Sequence, residues 1–381
     1  MTRGMSGLYI HIPFCAQKCA YCDFYSLPVT EFPSLGKTVE RFFQALEKEL
    51  TALPHDFQPD TIYFGGGTPT VFTAERLGEL LELVRRRVRT SAVREWTVEA
   101  NPGTLDTDKA RAMQAGGVTR ISLGVQTLND KMLARLGRIH TAEDARRSFI
   151  LLHNCGFEHV SVDLMYALPG EMTAQVLADV RGLLAWDPEH ISCYALSIEP
   201  GTPLAKQLDW GEISEVPDEE QAEQYQALRR EVLEADFQQY EISNFALPGR
   251  ECLHNLNYWR GGEYAGCGPA AHGHSAGRRH SNVEDLDAYC RRIEQGGTAR
   301  DFEEKLEPEA KARETLIVWL RLLDGVDLAA FRQLTGFDAL ALGGAAVEKF
   351  IAEDLLALAD GRLRLTERAL FVSNRIFAEL V

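Results

Sequence analysis

Residues 15–23 read CAQKCAYCD, which places Cys15, Cys19 and Cys22 on one short stretch with an aspartate directly behind them. Thiolates this close together bind a soft metal centre. Three of them suit a cubane [4Fe–4S] cluster in which one iron stays open for a further ligand. The competing chemistry is a zinc site completed by His11 or Asp23. Structural zinc sites usually pair two short cysteine or histidine knuckles, and the sequence holds no second knuckle.

A second group of residues could hold a small ligand. Gly65-Gly66-Gly67-Thr68-Pro69-Thr70 follows an apolar run, and glycines there let backbone approach a ligand without a Cβ in the way. The loop has neither a Walker lysine nor G-x-G-x-x-G spacing, so phosphate binding is not its chemistry. A neutral, backbone-lined loop suits the amino and carboxylate ends of an amino acid. Glu99, Gln126 and Asp163 sit on or at the ends of further β-like runs, and Arg138 lies between two of those runs. Carboxylates at such places can accept from a ribose or an ammonium group, and an arginine can clamp a carboxylate. Taken singly, each of these residues is a plausible salt-bridge partner or cap; together they match a zwitterionic, ribose-bearing ligand.

The elements that must position them alternate. β-like runs at 8–13, 60–66, 95–101, 119–126, 159–170 and 190–200 are separated by helical patterns near 38–52, 74–89, 106–115, 141–154, 173–186 and 218–235. Leucines at helical spacing after Thr73 make that residue an N-cap. Six β/α repeats require crossovers and therefore a parallel sheet. They are too few for a closed eight-fold barrel, so the α/β fold expected over 1–236 is an open, partial (β/α)6 barrel. In such folds chemistry gathers at the C-terminal edge of the strands, where the cysteine loop, the glycine loop, Glu99 and Gln126 all fall. Residues 237–304 read as a connecting region rich in Gly and aromatics. Residues 305–381 read as a small helical, winged-helix-like module, with helices near 308–323, 328–335 and 343–356, a hairpin turning at Asp360-Gly361 and a last helix.

Composition excludes some functions. With 40 Lys+Arg against 56 Asp+Glu, a formal net charge of −16 makes the chain a poor binder of nucleic-acid backbones. The runs Arg85-Arg86-Arg87 and Arg146-Arg147 lie within helical patterns and read as solvated faces. No apolar run reaches the about 20 residues of a membrane span. The N-terminal residues show no signal-peptide pattern, so a cytoplasmic location is expected. Cys155, Cys193, Cys252, Cys267 and Cys290 are scattered, and in a reducing compartment they read as small buried hydrophobes.

C-x3-C-x2-C with Tyr21 before its last cysteine, followed by GGGTP, resembles the radical S-adenosylmethionine (SAM) superfamily. LYIHIPFC, YFGGGTPT, SLGVQTLND, LGRIHT, DLMYALPG and the C-terminal module narrow the resemblance to the family that joins oxygen-independent coproporphyrinogen III dehydrogenases (HemN) with haem chaperones (HemW). The resemblance implies that SAM itself fills the open corner of the cluster. It places SAM contacts at Tyr9, Gly66, Gly67, Thr68, Glu99, Gln126, Arg138 and Asp163, with Tyr21 along the adenine through its backbone. It also implies one-electron cleavage of the sulfonium to a 5′-deoxyadenosyl radical, the cofactor carrying the chemistry while the protein positions it.

Two features favour the chaperone branch. Fourteen residues precede Cys15, and Asp23-Phe24 stands where the dehydrogenases carry a further cysteine. His254-Asn255-Leu256-Asn257-Tyr258-Trp259 also matches the HNxxYW motif of the chaperones. A histidine can ligate haem iron, and flat aromatics can face a porphyrin. On spacing alone His254 would be a hydrogen-bonded core histidine; with the resemblance it is expected to contact haem, whereas His272 and His274 read as structural. The expected function is to bind haem and pass it to an acceptor protein, and the sequence leaves open what SAM cleavage would do there. The rival is oxidative decarboxylation of coproporphyrinogen III to protoporphyrinogen IX, and the third reading is a zinc-stabilised binding module.

Overall fold

In the computed structural model, which describes residues 5–31 and 35–380, the alternating runs become six parallel strands. These are β1 (Ser6–Ile12), β2 (Thr61–Gly66), β3 (Glu95–Ala100), β4 (Arg120–Gln126), β5 (His159–Tyr166) and β6 (His190–Ala195), hydrogen-bonded in that order. The crossover helices are α1 (Leu35–Thr51), α2 (Ala74–Arg87), α3 (Thr107–Gly116), α4 (Ala142–Asn154), α5 (Thr173–Leu184) and α6 (Asp218–Glu234). Thr73 caps α2, its side chain accepting from the Arg76 amide at 3.3 Å. Alternation along β1 sends Leu8, Ile10 and Ile12 into the buried core, where Phe14 meets Phe42 of α1 edge-on at 5.6 Å. Tyr9 and His11 take the opposite, inner face.

Residues 237–304 are not a connector between two bodies; they build both edges of the same sheet. On one side β7 (Gln238–Glu241) and β8 (Asn244–Ala246) add antiparallel to β6. A short helix α7 (Leu253–Trp259) then crosses to the other side. There β9 (Glu263–Cys267) pairs parallel with β1, and β10 (His272–Ser275), β11 (Arg278–Asn282) and β12 (Arg300–Lys305) continue antiparallel. The result is one open twelve-stranded sheet, ordered β12-β11-β10-β9-β1-β2-β3-β4-β5-β6-β8-β7. The sequence concealed these strands because they are short and rich in Gly, His and Arg. Their pairing depends on edges contributed by distant residues.

Helix α8 (Leu286–Glu294) joins β11 to β12. The C-terminal module then comprises α9 (Pro308–Trp319), α10 (Leu328–Thr335), α11 (Ala339–Ala352) and α12 (Ser373–Leu380). A small antiparallel sheet of β13 (Val326–Asp327), β14 (Leu356–Ala359) and β15 (Arg362–Leu365) completes a winged-helix-like arrangement. Asp360 and Gly361 turn the hairpin with φ of 54° and 71°, the left-handed pair of a type I′ turn. Contacts with the barrel include Arg321 to the buried Glu241 at 3.2 Å and Arg321 over the Trp259 ring at 4.4 Å. Among the described residues no helix is long and apolar enough to cross a membrane.

Candidate functional site at the strand ends

The cysteine loop is tied down on both sides. Its entry, Phe14–Cys15, pairs with Leu27–Pro28. At its far turn the Ala20 amide donates to the Leu136 carbonyl at 2.9 Å, and the Ala20 carbonyl accepts from the Leu204 amide at 2.8 Å. Ala20 and Tyr21 pack on a satellite cluster of Leu136, Met165, Leu168, Leu196 and Leu204. The glycine loop is stitched beneath it, Gly67 N–H donating to the Ile12 carbonyl at 2.9 Å and Thr68 N–H to the Phe14 carbonyl at 2.7 Å. Gly66 has a φ of 93°, and a Cβ there would stand 2.3 Å from the His11 ring. Only glycine fits that position.

These loops and the ends of β2–β6 enclose a cavity of about 610 Å³. Cys15, Cys19 and Cys22 line it together with Tyr21, Gly66, Gly67 and Thr68, and Glu99, Gln126, Arg138 and Asp163 complete the wall from the strand side. A polar chain links the cysteine loop to the strand ends. Cys15 Sγ lies 3.5 Å from Thr68 Oγ1, which accepts from Asn101 Nδ2 at 2.6 Å. Arg138 donates to Asn101 Oδ1, to the Gly124 carbonyl at 2.7 Å and to Cys19 Sγ at 3.6 Å. That guanidinium places a positive charge beside Cys19. Gln126 ends β4 at φ 71°, strain of the kind held at ligand sites.

The carboxylates are buried and partly satisfied. Glu99 accepts from the Tyr63 hydroxyl at 2.9 Å and from Gly66 N–H at 3.2 Å. Burial, offset in part by the Tyr63 bond, pushes its carboxyl up to about 7. Asp163 accepts from Ser122 Oγ at 2.9 Å and is also raised by burial. Both groups gain from a cationic or hydroxyl donor entering the cavity. Burial also pushes the Cys22 thiol up to about 11 and raises that of Cys15.

The arrangement fits the cluster and SAM. Among the described residues no three His, Cys, Asp or Glu side chains gather as ligands of a single ion. The three thiols instead share one cavity, as ligands of separate irons of a cube do. Of the two alternative zinc ligands, Asp23 lines the same cavity, whereas His11 faces elsewhere: its Nε2 donates to the Tyr25 carbonyl at 2.8 Å and its Nδ1 accepts from the Tyr9 hydroxyl at 3.1 Å.

Two predicted residues stand outside the cavity. Tyr9 stacks on Tyr63 at 6.3 Å, and it is Tyr63 that reaches the wall. His254 is 1% exposed on α7, with Nδ1 2.8 Å from Thr61 Oγ1 and Nε2 2.8 Å from the Tyr258 hydroxyl. Its ring stacks on Tyr63 at 5.1 Å, and burial lowers its pKa to about 3. Both nitrogens are thus taken by side chains, and His254 stands in the core beside the cavity wall, one ring away from Tyr63. Sequence reasoning missed Asn101, Tyr63, Ser122 and Tyr194, which also line the cavity. Asn101 alone carried a local signal, directly after Glu99-Ala100 at a strand end.

Comparison with known proteins places this geometry. Residues 9–181 match the radical SAM superfamily, and residues 306–372 match the HemN C-terminal domain. The chain is 35% identical to the heme chaperone HemW of Bacillus subtilis over 98% of both chains. It is 39% identical to the Escherichia coli HemW over 70% of this chain and 69% of that one. Among solved structures it is similar to the E. coli coproporphyrinogen III oxidase HemN, described as a radical SAM enzyme. The TM-score is 0.85 at 19% identity, covering 99% of this chain and 90% of that one, a likeness of fold. The chain belongs to the HemW family of the radical SAM superfamily.

Proposed function

We propose that this chain is a haem chaperone: it holds one [4Fe–4S] cluster on Cys15, Cys19 and Cys22, takes SAM beside it, and binds haem for transfer to an acceptor protein in the cytoplasm. The observation that carries the cofactor half is the single cavity onto which the three thiols, the glycine loop and the polar strand ends all open. When bound, the cluster supplies one electron to the sulfonium of SAM.

The chain's own residues bind and orient. The Gly66 and Gly67 backbone leaves room for the amino-acid end of SAM. Glu99 and Asp163 accept from its ammonium and ribose hydroxyl groups. Arg138 keeps a positive charge against Cys19, and Gln126, on the cavity wall, would contact the nucleoside. Tyr21, anchored through Ala20 and the satellite cluster, would lie along the adenine through its backbone.

The supporting observation for the haem half is kinship with HemW chaperones over nearly the whole chain. Likeness to the coproporphyrinogen enzyme rests on a shared fold at 19% identity and on the HemN C-terminal domain match over residues 306–372. The test is anaerobic reconstitution followed by haemin loading and mixing with an apo-haemoprotein. The expected result is about four irons per chain and haem appearing on the acceptor. Colourless protein carrying stoichiometric zinc would sink the cluster. Loss of two carboxyl groups from coproporphyrinogen III under the same conditions would restore the rival.

A further inference from the structure

Cys15 and Cys19 each meet a side-chain donor, and the two donors meet on one residue. Thr68 Oγ1 lies 3.5 Å from Cys15 Sγ, and Arg138 Nη1 donates to Cys19 Sγ at 3.6 Å. Between them stands Asn101, whose Nδ2 donates to Thr68 Oγ1 at 2.6 Å and whose Oδ1 accepts from Arg138 Nη2.

Chemistry fixes the direction of every bond in this chain. A guanidinium only donates, so the amide oxygen of Asn101 must face Arg138. Its NH2 group then faces Thr68 and occupies a lone pair of that hydroxyl. The Thr68 proton is left to point at the Cys15 sulfur, which as a metal-bound thiolate only accepts. The amide works as an adaptor that aims two donors at two sulfurs. Turned over, it would set its NH2 group against the guanidinium and free the hydroxyl.

Asn101 is held in place for this. Its carbonyl accepts from the Thr104 amide at 2.9 Å and from Thr104 Oγ1 at 2.8 Å, in the turn Pro102–Thr104 that follows β3. A Cβ on Gly124 would stand 3.0 Å from Asn101 Oδ1 and 3.3 Å from Arg138 Nη2, so glycine there leaves room for their contact. Burial raises the Cys15 thiol, and the Thr68 and Ser26 hydroxyls oppose it. Cys22 is served differently: burial raises its thiol, and the Phe24 backbone amide opposes that.

We propose that Asn101 is a positioning residue that sets the reduction potential of the cluster, by turning the Thr68 hydroxyl onto Cys15 and holding the Arg138 guanidinium on Cys19. Hydrogen bonds to the sulfurs are one of the levers on such a potential. Each favours the more negative, reduced state, so this pair raises the potential. The inference rests on the cluster assignment made above.

Redox potentiometry of the reconstituted full chain, without SAM, tests it. Dithionite supplies the single electron, and electron paramagnetic resonance reads the reduced cluster against the total iron per chain. Asn101→Asp keeps the size and the Arg138 partner but has no N–H, so the Thr68 hydroxyl turns from sulfur to the carboxylate. Thr68→Val removes the hydroxyl at constant size, and Thr68→Ser restores it. Asn101→Asp and Thr68→Val each lower the reduced-to-oxidised ratio at a fixed potential about tenfold, equal to about 59 mV for one electron. Thr68→Ser titrates as wild type. Thr68→Val/Asn101→Asp falls short of the sum of its singles, because both break the same bond to Cys15.

Fully loaded variants at the wild-type potential overturn the inference and leave the cluster standing. So do strictly additive singles, which make the effect of Asn101→Asp one of charge alone, and a Thr68→Ser protein that titrates like Thr68→Val. Loss of the cluster from Asn101→Asp, with full iron in both Thr68 variants, overturns it too and gives Asn101 a role in loop assembly. Wild type without iron removes the cluster assignment itself.

Discussion

The cavity at the strand ends and a second one, of about 480 Å³ beside α9, lie on one face of one sheet, yet they are assembled in opposite ways. The first is made of loops. Its thiols, glycines and carboxylates are polar, close in sequence to a strand end, and drawn to one rim by the parallel β/α repeat. The second is made of regular elements. Its walls come from α7, from the antiparallel extension β9–β12 and from α9, and they mix aromatics and histidines with glycines and charged side chains. Loops at the end of a rigid sheet can place several donors around a small charged ligand. A sheet face opposed by a helix offers a broad flat surface instead.

The contrast can be broken by substitution. The largest effect is expected at the cysteines. Cys19→Ala removes one of three iron ligands, so anaerobically reconstituted protein should contain no stable cluster by iron and sulfide analysis. Retention of full iron would end the assignment of the first cavity.

The next largest concerns His254, the residue between the cavities. His254→Ala deletes a stacked buried ring and strands Thr61 Oγ1 and the Tyr258 hydroxyl, and should cost about 2–4 kcal/mol in denaturant unfolding. Bound ferric haem that keeps the wild-type ligand spectrum would show that His254 does not meet the iron. A spectrum that loses a histidine ligand on this substitution alone would make His254 the iron ligand.

A smaller effect is expected from Arg138→Met, which keeps length and removes the charge beside Cys19. The Gly124 carbonyl and Asn101 lose their donor, and SAM affinity by equilibrium binding should fall about tenfold. An affinity equal to wild type would take Arg138 out of the SAM contacts.

The smallest effect is a pH dependence. The Glu99 carboxyl is raised by burial from 4.5 to about 7 in the folded protein, so the folded state binds its proton more tightly than the unfolded one. Its contribution therefore favours folding at low pH and is lost as pH rises between about 4.5 and 7. Glu99→Gln should flatten that part of the stability profile of the cofactor-free protein, measured by denaturant midpoints at pH 5 and pH 8. An unchanged slope would place the proton elsewhere.

The sequence by itself determined the repeat and the metal loop. The boundaries of β1–β6 and of α1–α6 fall within a few residues of the runs read from periodicity, because each element is encoded by its own local pattern. The C-x3-C-x2-C spacing and the Asp360-Gly361 turn are equally local. So is the placing of Glu99 and Gln126 at strand ends, since a parallel strand cannot end elsewhere than at the carboxyl edge. Tertiary structure alone decided three things. It turned residues 237–304 from a connector into both edges of the sheet, because edge pairing uses hydrogen bonds to strands far away in sequence. It joined Cys15 to Cys19 through Thr68, Asn101 and Arg138, with Arg138 bonded to a cysteine 119 positions away. And it sorted His254, His272 and His274 by burial. All three are histidines among glycines and aromatics in the sequence; the fold buries His254 and His274 and leaves His272 exposed. Residue type specifies what a side chain can ligate, and solvent access, which the whole fold creates, decides whether it is free to do so.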